Sequence, residues 1–327
     1  MTVEILFVGL DEIGASMSLA FAAAGVDMTT TGHDPNPELA RDARDRQVVE
    51  RLVTNARKAA QTADLIFFSL QANDAADYFD LLAPVMKEDC VLIDLSHLKR
   101  PAFSLAQTYV PEGRYFVGAT PVINPSYLLE NPDDALPRHD LFQGGLLALA
   151  HPPINPESVI NLSLGVAKLI GATPFFLDAM EIDAANATVD DLPTIMGLAL
   201  MQLSMNAPSW REIQRLTGRS WTTAVGIGAR RDSKDLAATL IENKLSVLNR
   251  LTSMQEELIK VHTLVSDEDL EALTNYCEQS SEAYMMWLDK RKVADWEGQD
   301  HQPPEIPKIG VFERLFSTDA FRRKSSK

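Results

Sequence analysis

The sequence predicts an α/β protein: a Rossmann-like, doubly wound, mostly parallel sheet followed by an all-α C-terminal domain. Three observations carry this. Strand and helix signals alternate from Val3 to about Asp178, as in a parallel sheet with helices on both faces. The first strand runs straight into a glycine-bearing turn, Gly9-Leu10-Asp11-Glu12-Ile13-Gly14. After Asp178 strand signals stop and long helical stretches take over. A chain of 327 residues has material for two domains, each with its own core. The expected division is 1–178 and 179–292, with a tail at 293–327.

The strands are expected at Ile5–Val8, Met28–Thr31, Leu65–Leu70, Val91–Leu95, Tyr115–Gly118, Gly145–Ala150 and Thr173–Leu177, each a short apolar run bounded by breakers. Helices lie between most of them, for example Ala15–Ala24, Asp74–Met86 and Pro156–Ile170. The Pro- and Asp-rich stretch Pro121–Asp140 reads as a long loop beyond a strand end, where loops commonly cover a ligand crevice. Glu181–Met205 reads as a long helix kinked by Pro193. Lys234–Lys260 is a second long helix with a leucine stripe, and Asp267–Lys292 a third, opened by the capping pattern Ser266-Asp267-Glu268-Asp269. Broad apolar faces on such helices predict a homodimer. The tail carries Gln302-Pro303-Pro304 and a short apolar stripe near Phe312, which reads best as packing on its own protein or its mate.

Bulk numbers narrow the function. A net charge of −16 argues against non-specific binding to nucleic acid or anionic membranes. An anionic substrate would need a local basic pocket. Cys90 and Cys277 form no disulfide framework and no metal pattern, and both read as buried apolar residues. No basic leader precedes the first strand, and no apolar run reaches the ~18–20 residues of a membrane span. The expectation is a cytoplasmic enzyme without a bound metal.

The turn after the first strand is laid out as G-x-G-x-x-G, with an acid, Asp34, about 20 residues beyond it. Gly9 suits the tight turn and Gly14 the close packing of helix on strand. Asp11 stands where the middle glycine would let backbone approach a pyrophosphate, and its charge has the phosphate's sign. Asp34 suits a ribose 2′-hydroxyl and repels a 2′-phosphate, so NAD is preferred over NADP. The expected cofactor residues are Gly9, Leu10, Asp11, Ile13, Gly14 and Asp34, with Ser69, Leu70 and Gln71 flanking the nucleotide.

Together with Asp94-Leu95-Ser96-His97-Leu98-Lys99, Phe116-Val117-Gly118-Ala119-Thr120-Pro121 and Asp183…Leu192-Pro193, this order of elements resembles the prephenate/arogenate dehydrogenases over roughly residues 3–260. The resemblance implies oxidative decarboxylation of a cyclohexadienyl substrate in tyrosine biosynthesis, with hydride passing to NAD(P)+, and a dimer through the helical domain. Several chemical positions differ from the family pattern. His97 stands for a serine and Thr120 for the catalytic histidine. Ile182, Asp191 and Thr194 stand for the three histidines of the long helix. Neither substrate arginine falls in register near Gly218–Ala224.

Removing hydride from a carbinol is helped by a base at the hydroxyl. His97, at a strand end in the crevice, is the candidate, with Thr120 beside it as a hydrogen-bonding group. Ser96, Lys99, Asp191, Thr194 and Arg219 are the candidate substrate residues, Lys99 matching the family position. Arg230-Arg231 read as solvated charges. Asp183, Asp190 and Asp191 crowd one segment and favour an amine-bearing or neutral substrate. Two alternatives stay open: a non-catalytic relative acting as a binding or regulatory dimer, and a dehydrogenase of the same fold with another substrate.

Overall fold

The computed structural model describes residues 2–130, 135–229 and 231–292. Two compact units emerge: Met1–Ala179, joined by the described residues 286–292, and Met180–Met285. The tail beyond 292 and Arg230 lie outside the described residues.

The first unit holds one eight-stranded sheet: β1 (Val3–Val8), β2 (Met28–His33), β3 (Arg51–Leu52), β4 (Leu65–Phe68), β5 (Val91–Asp94), β6 (Tyr115–Val122), β7 (Leu146–Ala150) and β8 (Thr173–Phe176). Their spatial order is β3-β2-β1-β4-β5-β6-β7-β8. All pairs are parallel except β6 with β7. The helices are α1 (Glu12–Ala23), α2 (Pro37–Asp45), α3 (Ala56–Ala60), α4 (Ala72–Leu82), α5 (Lys99–Tyr109) and α6 (Glu157–Leu169). This is a doubly wound fold. Its topological switch lies between β1 and β4, where connections leave in opposite directions and the loops beyond the strand ends part.

The strands are apolar on both faces because both are covered. Ile5, Phe7, Leu65 and Phe67 enter one core, with Met17 and Phe21 of α1. Leu6, Val8, Ile66 and Phe68 enter the other, with Phe79 and Leu82 of α4. Phe7 stacks on Phe67 at 5.0 Å between ring centres, and Phe21 meets Phe67 edge-on at 5.2 Å. These rings lie directly beneath the switch point and make its floor rigid.

Two details differ from the sequence reading in this unit. β3 has only two residues, too short to leave a periodic signal. β6 continues past Gly118 to Val122, because β7 pairs with it antiparallel from Gly118↔Ala150 to Val122↔Leu146. Thr120 and Pro121 are therefore strand residues. Pro121 is tolerated there because pairing with β5 ends at Gly118, so no ladder bond on that side needs its missing N–H. Cys90 is buried as expected, its thiol pushed up to about 12 by desolvation, whereas Cys277, in the second unit, is exposed and not the buried residue expected.

The second unit is helical: most of α7 (Ala179–Asn186), then α8 (Leu192–Met205), α9 (Trp210–Ile213), α10 (Arg219–Ala229), α11 (Ser233–Glu242), α12 (Lys244–Ser266) and the first part of α13 (Leu270–Lys292). The expected kink takes the form of a π-helical turn, Ala187–Asp191, just before Pro193. Proline removes one helical donor, and the wider turn absorbs the mismatch. The single helix expected at Lys234–Lys260 is two, broken at Asn243. That side chain is buried and donates to the Asp183 carbonyl at 2.9 Å. The third helix starts at Leu270 after the αL residue Glu268, with Asp269 accepting from the Ala272 amide. α9 and α10 had no sequence forecast. α10 packs closely on α8 through small residues: a Cβ on Gly197 would lie 2.6 Å from the Ala224 carbonyl oxygen. Among the described residues no helix is long and apolar enough to cross a membrane.

Candidate functional site

The carboxyl ends of β1, β2, β4 and β5 line up, and most of the expected site residues of the first unit follow them. Gly9 leaves β1 with φ of +92°, and a Cβ there would stand 1.9 Å from the Ser69 carbonyl oxygen. Gly14 sits against the Gly9 carbonyl, where a Cβ would fall at 2.2 Å. Both positions admit only glycine, so the turn after β1 and the turn after β4 are locked side by side. Leu10 and Leu70 are buried and Ile13 packs against the core, which holds these turns down. Gln71 caps the start of α4 with its backbone, without a side-chain cap bond.

Asp11 is the N-cap of α1. Its Oδ1 accepts from the Gly14 amide at 2.8 Å and from the Ser69 hydroxyl at 2.6 Å. The residue is open to solvent on one side, yet protein crowds its carboxylate. Desolvation raises its pKa; the bonds from Ser69 and Gly14 oppose that, and Asp34 adds to it. Asp34 seats Oδ2 on the Leu10 amide at 2.6 Å and Oδ1 on the Asn36 amide at 2.7 Å. Its pKa is raised mainly by burial, against those two bonds. His33, just before it, spans Val53 O at 3.0 Å and the Tyr78 hydroxyl at 2.6 Å, so an aromatic wall stands beside Asp34.

The turn after β5 carries Ser96, His97 and Lys99. The Asp94↔Gly118 register continues this turn alongside Ala119–Pro121 of β6. His97 is half-buried there. Ser96 donates to Asp94 Oδ2 at 2.7 Å. Lys99 is fully buried, its ammonium donating to Asp94 Oδ2 at 3.1 Å, to the Asp94 carbonyl at 3.0 Å and to the Ser96 carbonyl. The expectation that Lys99 meets a substrate carboxylate is corrected by this burial. Its charge is neutralised by Asp94, and its bonds tie the turn that presents His97. The Thr120 hydroxyl is buried and has no hydrogen-bond partner among the described residues.

Over α1 lies the chain from 135 to 140. The Arg138 amide donates to the Ser16 hydroxyl at 3.0 Å, its guanidinium rests 4.1 Å from the centre of the Tyr127 ring, and it pairs with Glu130 at 3.1 Å. Arg291 is buried and donates to the Ile123 carbonyl at the end of β6. The sequence analysis did not single it out, because it lies among the basic residues of the last turn of α13, between Lys290 and Lys292. His151 follows β7; its Nε2 meets the Ser163 hydroxyl at 3.1 Å, its Nδ1 the Asn155 amide nitrogen at 3.1 Å, and desolvation lowers its pKa to about 4.

In the second unit Asp183, Asp191 and Thr194 are buried. Arg231 pairs with Asp190 at 3.0 Å and lies 3.8 Å from Asp191, while Asn243 reaches Asp191 at 3.5 Å. Arg231 thus offsets part of the charge of this acidic segment. The Thr194 hydroxyl is buried without a partner among the described residues. Ile182 is a core residue. Arg219 opens α10 as an exposed residue.

Comparison with known proteins follows the same lines. Residues 17–173 match the family model of the prephenate dehydrogenase nucleotide-binding domain. The match begins inside α1, past the turn that carries Asp11. A search of curated protein sequences returns no match. Among solved structures, prephenate dehydrogenase from A. aeolicus, in complex with hydroxyphenyl propionate and NAD+, superposes with a TM-score of 0.74 at 20% identity, over 88% of this chain and 98% of that one. Synechocystis arogenate dehydrogenase superposes with a TM-score of 0.67 at 20% identity, over 87% of this chain and 100% of that one. Residues 17–173 are thus similar to the nucleotide-binding domain of prephenate dehydrogenases, and the chain has the fold of prephenate and arogenate dehydrogenases.

Proposed function

We propose that this protein is an NAD-dependent oxidoreductase of the prephenate/arogenate dehydrogenase kind, acting in tyrosine biosynthesis as a cytoplasmic homodimer. The observation that carries the reading is that Asp34 and His97 follow β2 and β5, on either side of the β1/β4 switch point. Three strand spacings of about 4.8 Å separate those strands, so an elongated ligand lying across the switch meets an acid at one end and an imidazole at the other.

The nucleoside end of a dinucleotide fits: Asp34 offers lone pairs to ribose hydroxyls beside His33 and Tyr78, and its charge disfavours a 2′-phosphate. Gly9, Leu10, Ile13, Gly14, Ser69, Leu70 and Gln71 would border the rest. At the phosphate position the chain presents Asp11. When bound, the nicotinamide supplies the hydride acceptor. The remaining work falls to side chains. His97 takes the hydroxyl proton. The orphaned hydroxyl of Thr120 gains a partner on a substrate oxygen. Ser96 completes the substrate set that the first unit offers. The acidic residues Asp190 and Asp191 favour arogenate, whose amine replaces a keto oxygen, over the dianionic prephenate.

A second reading, a non-catalytic binding or regulatory relative, is favoured by the Asp11 carboxylate at the α1 N-terminus. Thermal melting with saturating NAD(H) and NADP(H) separates the two. A ligand at 100 times its Kd stabilises by about 2.7 kcal/mol, and NAD(H) should raise Tm by several degrees at pH 6 with NADP(H) weaker. Turnover of arogenate and prephenate then tests the chemistry. His97→Asn should lower kcat about 10²–10⁴-fold with little change in Tm. Absence of a shift with every nucleotide would leave only the second reading.

A further inference from the structure

The amides at the start of α1 are the usual partners of a dinucleotide's pyrophosphate. Here the chain's own groups engage several of them. The Leu10 amide donates to Asp34 at 2.6 Å, and the Gly14 amide donates to Asp11 at 2.8 Å. The Ile13 amide also turns toward Asp11. The same Asp11 oxygen takes the Ser69 hydroxyl at 2.6 Å from the turn after β4. One carboxylate therefore caps the helix and bridges the two turns that frame the switch point.

We infer that Asp11 is a built-in anion that stands in for the cofactor phosphate at the α1 N-terminus, and that its displacement or neutralisation sets dinucleotide affinity. This rests on the dinucleotide reading above. A phosphate that approaches the same amides meets an occupied donor and a like charge. Two changes relieve both conflicts. The side chain can rotate out, which breaks the Ser69 and Gly14 bonds. It can also take a proton, which removes the charge.

Protonation is within reach because of what surrounds the carboxylate. Acids dominate: Asp34 from the turn after β2, Glu12 on α1 itself, and Asp74 on α4 behind Asp34. The basic groups stand one step farther off, His33 facing Asp34 and Arg138 facing Glu12. Tyr78 adds no charge at neutral pH. A bound phosphate would add a further negative charge beside Asp11, and so favour its protonated form more strongly in the complex than in the free protein. Linkage then demands that dinucleotide binding tighten as pH falls.

The test is isothermal titration of the full chain with NAD+ at pH 5.5, 7 and 8.5, for wild type, Asp11→Asn and Asp11→Gly. Asparagine keeps the acceptor for Gly14 and Ser69 and removes only the charge; glycine removes the acceptor as well. Circular dichroism melts without ligand confirm that each variant is folded. Wild type is expected to bind at least tenfold more tightly at pH 5.5 than at 8.5. Asp11→Asn should bind at least threefold and Asp11→Gly at least tenfold more tightly than wild type at pH 8.5, both with a flattened pH profile. Wild-type binding that is unchanged by pH and equalled by folded Asp11→Gly overturns this inference and leaves the dinucleotide reading standing. No binding by any of the three folded proteins ends both.

Discussion

At the scale of single residues, burial decides more than identity. Lys99 has the type and position expected of a substrate cation, but its ammonium is enclosed with Asp94 and two carbonyls. Its residue type and position do not foretell that enclosure. His151 shows the same principle through its proton. Its pKa falls to about 4 because desolvation penalises the imidazolium. The folded state thus holds neutral histidine below the ordinary value of about 6.5. The sign follows: this stability is full above pH 6.5 and is lost as pH falls toward 4, by roughly 3 kcal/mol. Urea midpoints at pH 7 and 4.5 should show a larger acid loss in wild type than in His151→Gln. Equal losses in the two proteins would show that the Ser163–His151–Asn155 contacts do not depend on charge.

At the scale of elements, the informative places are where one segment presses on another. The turn after β1 can close only because Gly9 and Gly14 carry no Cβ against Ser69 and each other. That requirement is visible in the sequence as glycines at fixed spacing. The α8–α10 contact is equally tight, but Gly197 and Gly228 carried no forecast, since a lone glycine in a helical pattern has no fixed partner. Gly197→Ala puts a Cβ 2.6 Å from the Ala224 oxygen, so α10 must move. The expected cost is about 1–3 kcal/mol, read as a lower urea midpoint. An unchanged midpoint would mean that the two helices separate without penalty. The break at Asn243 is of the same kind: a leucine stripe runs through it, and only a buried side-chain amide bonded to the Asp183 carbonyl marks the division of α11 from α12.

At the scale of the whole molecule, the helical unit leaves many large apolar side chains uncovered. Leu216 is 85% exposed, Ile241 73% and Leu245 69%, with Leu248, Leu258 and Ile259 on α12 also exposed. Apolar surface on this scale marks an interaction face, which supports the proposed homodimer. Sedimentation of the full chain should give twice the mass of one chain at micromolar concentration, and Leu245→Glu with Leu258→Glu should shift it toward monomer. A wild-type monomer would remove the homodimer from the proposal.

The sequence by itself determined the doubly wound sheet, the helical second half and the glycine-bearing turn after β1. Two-faced apolar strands, helical periodicity and glycine spacing are local properties, and local sterics and burial enforce them. The same reading placed Asp34 and His97 at strand ends, because a strand's end is written beside the strand. It also marked Asp11 as a like charge at the phosphate position. Only the tertiary structure decided what those residues do with their hydrogen bonds. The union of Asp11 with Ser69, the seat of Asp34 on Leu10, the enclosure of Lys99 and the burial of Arg291 against Ile123 join positions that no short-range pattern connects. Partner choice and desolvation exist only once distant segments have come together.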